Sequence, residues 1–356
     1  MNQISKEIIA RLDTDGMFQK IIEFPEQLRK GWKIAENTEA NIDFSQIRHI
    51  IFSGMGGSAI AGDLLRSIQN EVLPVPMIVN RSYRIPDFVS SQTLFIASSY
   101  SGNTEETLSA IEKAIERNAK IICITSGGQL KEIAQKNGYA CFQLIPGYPP
   151  RAALGFGLGV LLQIFHRFSI GELSRQEVDH AASKLTENSR IWSDINHQEN
   201  SPLDVAGKLF GKIPLIYASA NRFEFVGYRW KTQLNENSKV HAFFQPFPEM
   251  NHNEIVGWER IKNTKEILAH LIPVVLFDSE EHPQIQKRMQ IFKEIMKEDK
   301  NDIIEIAGKG NTFFERMVDL IYFGDWVSYY LAILNQVDPT KISKIDLFKK
   351  RLKEKS

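Results

Sequence analysis

Apolar runs just long enough for one strand, each released into small residues and then a helical pattern, recur along this chain and leave few folds open. "IRHIIF" (47–52), "VPMIVN" (75–80), "TLFIAS" (93–98), "AKIICITS" (119–126) and "CFQLI" (141–145) follow one another at α/β intervals. Helical periodicity occupies 58–69, 104–117, 129–136 and 156–168. Strands alternating with helices predict a parallel sheet covered on both faces. Residues 170–202 are polar and charged and read as a helical connection. The pattern then restarts with "IPLIYAS" (213–219), "KVHAFFQ" (239–245), "LIPVVLFDS" (271–279) and "DIIEIAG" (302–308), and with helices over 282–298, 313–335 and 346–354. The expected fold is α/β, with two doubly wound, three-layer units. Residues 1–45 form an N-terminal helical segment, 46–170 the first sheet unit, 171–205 the connection, and 206–356 the second unit with the C-terminal helices. Both units open with strand, small-residue loop and helix, but they share no visible sequence similarity, so any repeat is one of topology.

A length of 356 residues suits two such units, and 43% hydrophobic with 24% charged residues can fill their cores. The 43 basic residues are balanced by 43 acidic ones, which argues against a nucleic-acid binder driven by phosphate neutralisation. One anionic metabolite in a local pocket remains compatible with that balance. Cys123 and Cys141 sit in strand-like surroundings without further metal ligands nearby, and read as reduced core residues. The N-terminus is charged and lacks a signal-like apolar core, and no run of eighteen apolar residues occurs. The expectation is a cytoplasmic protein with no membrane or nucleic-acid partner.

Two loops invite a ligand. After the first strand, Gly54-Met55-Gly56-Gly57-Ser58-Ala59 satisfies the GxGxxG/A dinucleotide pattern, yet the second strand ends at Asn80-Arg81-Ser82, with no acid for a ribose. Arg81 leaves a 2′-phosphate cofactor open. After the third strand comes "SSYSGNTEET" (98–107), in which six of ten residues carry hydroxyls and none is cationic. Loops at the carboxyl ends of adjacent parallel strands share one crevice. Ser58, Ser99, Ser101 and Thr104, at helix starts with unsatisfied N–H groups, therefore suit a phosphate dianion. Each hydroxyl alone is equally a helix cap.

Further along, "PGYPPRAALG" stiffens the approach to Arg151, which reads either as a surface arginine or as a fixed cation for a developing anion. "LNENSK" places Glu236 at a helix end, as a solvated acid or a base. "PEMNHNEIVGW" sets His252 between asparagines able to orient an imidazole. Glu249, His252 and Glu254 lack the two-histidine helix spacing of a zinc site.

Taken in order, "GMGGSAIAGD", "SSYSGNTEET", "PPRAALG", "WKTQLNENSK" and "PEMNHNEIVGW" resemble the motif series of the bifunctional phosphoglucose/phosphomannose isomerases, members of the sugar-isomerase (SIS) superfamily. The resemblance spans about residues 50–350. It implies two SIS subdomains with the active site between them, near the interface of a homodimer, and no metal or other cofactor. It implies hexose phosphates as substrates, glucose 6-phosphate and mannose 6-phosphate being interconverted with fructose 6-phosphate through a cis-enediol. Ser58, Ser99, Ser101 and Thr104 then surround the phosphate, Glu236 is the base, His252 opens the ring from across the dimer, and Arg151 stands beside the enediolate. A C-terminal lysine, Lys349 or its neighbour Lys350, takes part, and Thr340 helps admit the C2 epimer. Ser238 stands where the family often has alanine. Two rival readings are a non-catalytic SIS sensor and an isomerase of another phosphosugar.

Overall fold

A computed structural model of the chain describes residues 4–259, 261 and 265–354, except the side chains of Lys265 and Lys353. The described chain divides into two compact units, one over Ile22–Glu187 and the other joining the described parts of Met1–Ile21 and Asn188–Ser356. The helical segment expected over 1–45 is therefore split. The helices Lys6–Leu12 and Met17–Ile22 end where the units divide, and the helix Phe24–Glu36 packs in the first unit against Leu154–Arg167.

In the first unit, β1 (His49–Ser53), β2 (Met77–Asn80), β3 (Thr93–Ser98), β4 (Lys120–Thr125) and β5 (Ala140–Gln143) form a parallel sheet in the order β2-β1-β3-β4-β5. All six residues of β3 are buried. Its unbroken apolar run is what a strand covered on both faces requires. Ile51, Phe95, Ile121 and Cys123 face the helices Glu105–Glu116 and Gly128–Asn137, whereas Phe52 lies against Gly56–Gln69. Cys123 and Cys141 are register neighbours and free thiols, and burial pushes the Cys123 thiol up to about 12. The strand order reverses between β1 and β3, so their carboxyl ends flank the crevice where doubly wound sheets take ligands.

In the second unit, β6 (Ile213–Ser219), β7 (Phe243–Phe247), β8 (Leu271–Phe277) and β9 (Ile304–Ala307) are also parallel, in the order β7-β6-β8-β9. The topology of the first four strands is thus repeated, but the corresponding crevice is filled by the chain's own charges. Arg222, past β6, pairs with Asp278, past β8, at 2.6 Å, and Arg316 reaches the same carboxylate at 2.7 Å. The core of this unit is the helix Phe313–Leu334. It is long and apolar enough to cross a membrane, yet it is buried inside the protein from Phe314 to Leu334.

Candidate active site

The first unit builds its site where β1 and β3 end. Gly57 allows a close approach there: a Cβ on it would lie 2.8 Å from Pro150 O and 3.2 Å from Arg151 Cα. Gly57 thus lets the turn Pro150–Ala152 lie against the start of the helix Gly56–Gln69, a role unrelated to a dinucleotide. Arg81, the residue a 2′-phosphate would need, is paired with the buried carboxylate of Asp63. Arg151 is itself buried, with 4% exposure. Its turn is held by Gln27, whose amide donates to Ala152 O at 2.8 Å.

The loop after β3 is a network of hydroxyls. Ser58 Oγ accepts the Tyr100 N–H at 3.1 Å, joining the two loops across the crevice. Ser99, only 1% exposed, accepts from Gly102 N–H at 3.1 Å and shares a 2.8 Å hydrogen bond with Thr104. Ser101 is exposed, and its Oγ accepts a local bond from Asn103 N–H at 3.3 Å. Thr104 occupies the N-cap position of Glu105–Glu116, but its side chain caps no helix amide. Its hydroxyl is turned to Ser99 instead. Hydroxyls that spend lone pairs on backbone amides keep their O–H hydrogens to donate, which is the polarity a phosphate needs. Gly102 (φ +71°) permits the tight turn, since a Cβ there would collide with Gly127 O.

Tyr100, not singled out from the sequence, ties this loop to the segment leading to Arg151. Its hydroxyl donates to Ile145 O at 2.7 Å and accepts Tyr148 N–H at 3.0 Å. Burial pushes its phenol above the ordinary value. Its only sequence signal is an aromatic ring among hydroxyls and small residues.

In the second unit, Glu236 is the last residue of the helix Glu224–Glu236 and is half-buried. It lies on the wall of a cavity of about 710 Å³, together with Lys239, His241, Asp338, Lys341 and Lys344. Its helix is fastened to Phe313–Leu334 by a buried pair, Arg229 donating to Asp325 at 2.9 and 2.7 Å, and by Trp230 Nε1 donating to Leu320 O at 2.8 Å. Ser238, where the family often has alanine, is fully buried and donates to Ser328 O at 2.6 Å. Thr340 is half-buried and donates its N–H to Asp338 Oδ1 at 2.8 Å, beside the cavity wall. Lys349 and Lys350 are exposed on the helix Ser343–Lys353, Lys350 at 4.0 Å from Glu354, and neither lines the cavity.

His252 is exposed, in the 3-10 turn Glu249–His252. The loop under it is rigidly seated by buried Met250 and Trp258 and by Glu254, which accepts from Tyr217 O–H at 2.7 Å. The asparagines expected to orient its imidazole brace the loop instead. Asn253 accepts from Glu254 N–H at 2.6 Å and donates to Glu249 at 3.0 Å, while Asn251 reaches Met250 Sδ. Glu249 and Glu254 are thereby engaged within the loop.

Comparison with known proteins agrees with these motifs. The sequence model for "Bacterial phospho-glucose isomerase C-terminal SIS domain" matches residues 198–352, and that for "SIS domain" matches 43–141. A bifunctional phosphoglucose/phosphomannose isomerase of Caldicellulosiruptor bescii is 42% identical over 95% of this chain and 99% of its own. This chain belongs to the bifunctional phosphoglucose/phosphomannose isomerase family. It is an isomerase, and the rival reading as a non-catalytic sensor falls away. A D-glucosamine-6-phosphate 4-epimerase of Sulfolobus acidocaldarius is 38% identical over 58% of this chain and 62% of its own. Among solved structures, the C-terminal domain of glucosamine-fructose-6-phosphate aminotransferase from Francisella tularensis has the same fold, with a TM-score of 0.69 at 17% identity, covering 91% of this chain and 98% of that one.

Proposed function

We propose that this isomerase interconverts glucose 6-phosphate and mannose 6-phosphate with fructose 6-phosphate, and that Glu236 is the base. The observation that carries the reading is the position of Glu236: half-buried at a helix end, on the wall of a cavity large enough for a hexose. Ser58, Ser99, Ser101 and Thr104 hold the phosphate, and the binding energy of that remote group orients the reacting carbons. Glu236 takes the C2 proton and returns it at C1 through a cis-enediol. Arg151 stabilises the charge on the enediolate oxygens. His252 protonates the ring oxygen as the cyclic sugar opens, and its exposure on a rigid loop fits delivery to the second copy of a homodimer. Lys349 assists ring opening, and Thr340 helps accommodate the second C2 epimer. The step needs neither a metal nor a nicotinamide, and the free thiols of buried Cys123 and half-buried Cys141 suit a cytoplasmic setting.

Coupled assays of fructose 6-phosphate formation, run separately from glucose 6-phosphate and mannose 6-phosphate, test the substrates. Turnover of both is expected and turnover of neither refutes the reading. Glu236→Gln is expected to abolish turnover while a hexose-phosphate analogue still binds. Retention of most of the activity removes Glu236 as the base. The epimerase relative favours a second reading, in which an aminosugar phosphate is the substrate. Consumption of glucosamine 6-phosphate with no turnover of the neutral hexose phosphates would establish it.

A further inference from the structure

The turn after Glu236 contains a residue that the chemistry above does not use. Lys239 has φ +58°, a left-handed conformation in which glycine or asparagine is usual after a helix because a longer side chain is strained. What its side chain gains is a grip on three main-chain carbonyls. The ammonium donates to Glu236 O at 2.7 Å, to Asp338 O at 2.8 Å and to Asn237 O at 3.3 Å. Three N–H donors thus meet three acceptors. Two of the acceptors belong to the end of the base-bearing helix. The third belongs to the turn that carries Thr340 and leads into Ser343–Lys353. Glu236, Lys239 and Asp338 all line the same cavity of about 710 Å³.

The anchor at Asp338 is firm. Its Oδ1 accepts the N–H groups of Thr340 at 2.8 Å and Lys341 at 3.2 Å, and its Oδ2 meets Lys341 Nζ at 3.1 Å. Neighbouring bonds hold the rest of the segment: Asn335 donates to Ser238 O at 3.0 Å and Asn235 to Val240 O at 2.8 Å. Lys239 is the member of this set that binds the peptide of Glu236. The carbonyls of a helix's last turn carry partial negative charge and fray readily, and a cation placed on them opposes both.

We propose that Lys239 is a positioning residue for Glu236, latching the last turn of its helix to the Asp338 turn so that the carboxylate meets the C2 proton in one geometry. The inference rests on Glu236 being the base. A proton transfer is sensitive to such placement, a displacement of about 1 Å costing up to about a hundredfold in rate.

Lys239→Gly in the full chain is the discriminating variant, because glycine relieves the left-handed strain while removing the latch. Thermal stability is expected to be kept or raised, while kcat falls about ten- to a hundredfold with little change in KM. The primary isotope effect on kcat with glucose 6-phosphate deuterated at C2 is expected to rise, as proton abstraction becomes the slow step. Lys239→Arg, which keeps donors for the carbonyls, is expected to recover part of the rate. Wild-type kcat in Lys239→Gly overturns the proposal, as does a fall in kcat with an unaltered isotope effect, the mark of a smaller folded fraction. Turnover by Glu236→Gln overturns it as well, by removing the base it serves. Loss of turnover in Glu236→Gln with normal kinetics in Lys239→Gly refutes the latch alone.

Discussion

Ser99 and Thr104 illustrate how much one hydroxyl conceals in a sequence. Either is a plausible helix cap, and Thr104 does stand at the cap position, yet its hydroxyl is shared with Ser99 and not with the helix. On the proposed reading this pair binds the substrate phosphate, so Ser99→Ala combined with Thr104→Ala is expected to raise KM for hexose phosphates with a smaller change in kcat. Initial-rate kinetics decide it, and an unchanged KM would refute the cradle. Tyr100→Phe removes the group that answers both Ile145 O and Tyr148 N–H. Leaving such partners unmatched costs about 1–3 kcal/mol, to be read as a lower midpoint in urea. At this scale the motifs supplied the candidate site residues. The roles of Arg81 and of the asparagines beside His252 were not, because a side chain's partner is chosen by neighbours distant in sequence.

Helices and strands were mostly legible, since burial on one or both faces writes its period into the chain. The strand expected over 93–98 is found there, and β6 spans the expected 213–219. Ends were less legible where capping chemistry is missing. The C-terminal helix, expected from 346, begins at Ser343 behind Ile342, whose side chain makes no capping bond. The helix bearing Glu236 depends on a pairing that no periodicity reveals, the buried Arg229–Asp325 contact with Gln233 donating to the same carboxylate at 2.7 Å. Arg229→Met is expected to strand Asp325 in the core and destabilise the second unit by about 3–5 kcal/mol. A parallel loss of isomerase activity and urea resistance would show it, and unchanged stability would not fit.

For the whole molecule, Asp319 gives a signature in pH. Burial raises its carboxyl to about 6, despite opposing bonds from Lys309 N–H and the Asn188 amide. Between about pH 4 and 6 the folded chain therefore holds a proton that the unfolded chain releases. The associated stability is present below about pH 4 and lost as pH rises through 6, by up to about 3 kcal/mol. Asp319→Asn is expected to flatten that part of the stability profile measured by thermal melts. Assembly has its own test. If His252 acts across a homodimer, Glu236→Gln and His252→Ala chains, each inactive alone, are expected to recover about a quarter of wild-type activity when refolded together, because half the dimers are mixed and each has one complete site. No recovery would place His252 with the Glu236 of its own chain.

By itself the sequence determined the α/β grammar and the family, because periodicity, turn chemistry and motif spacing are local and survive without knowledge of packing. Tertiary structure alone decided what the local signals serve. It set Gly57 of "GMGGSA" against the Arg151 turn, filled the second sheet's crevice with Arg222, Asp278 and Arg316, and closed Lys239 onto the carbonyls of Glu236 and Asp338. Apart from the local contact of Lys239 with Glu236, those pairings join residues 38 to 99 positions apart. Only the strand order and helix packing of the finished fold bring them within reach.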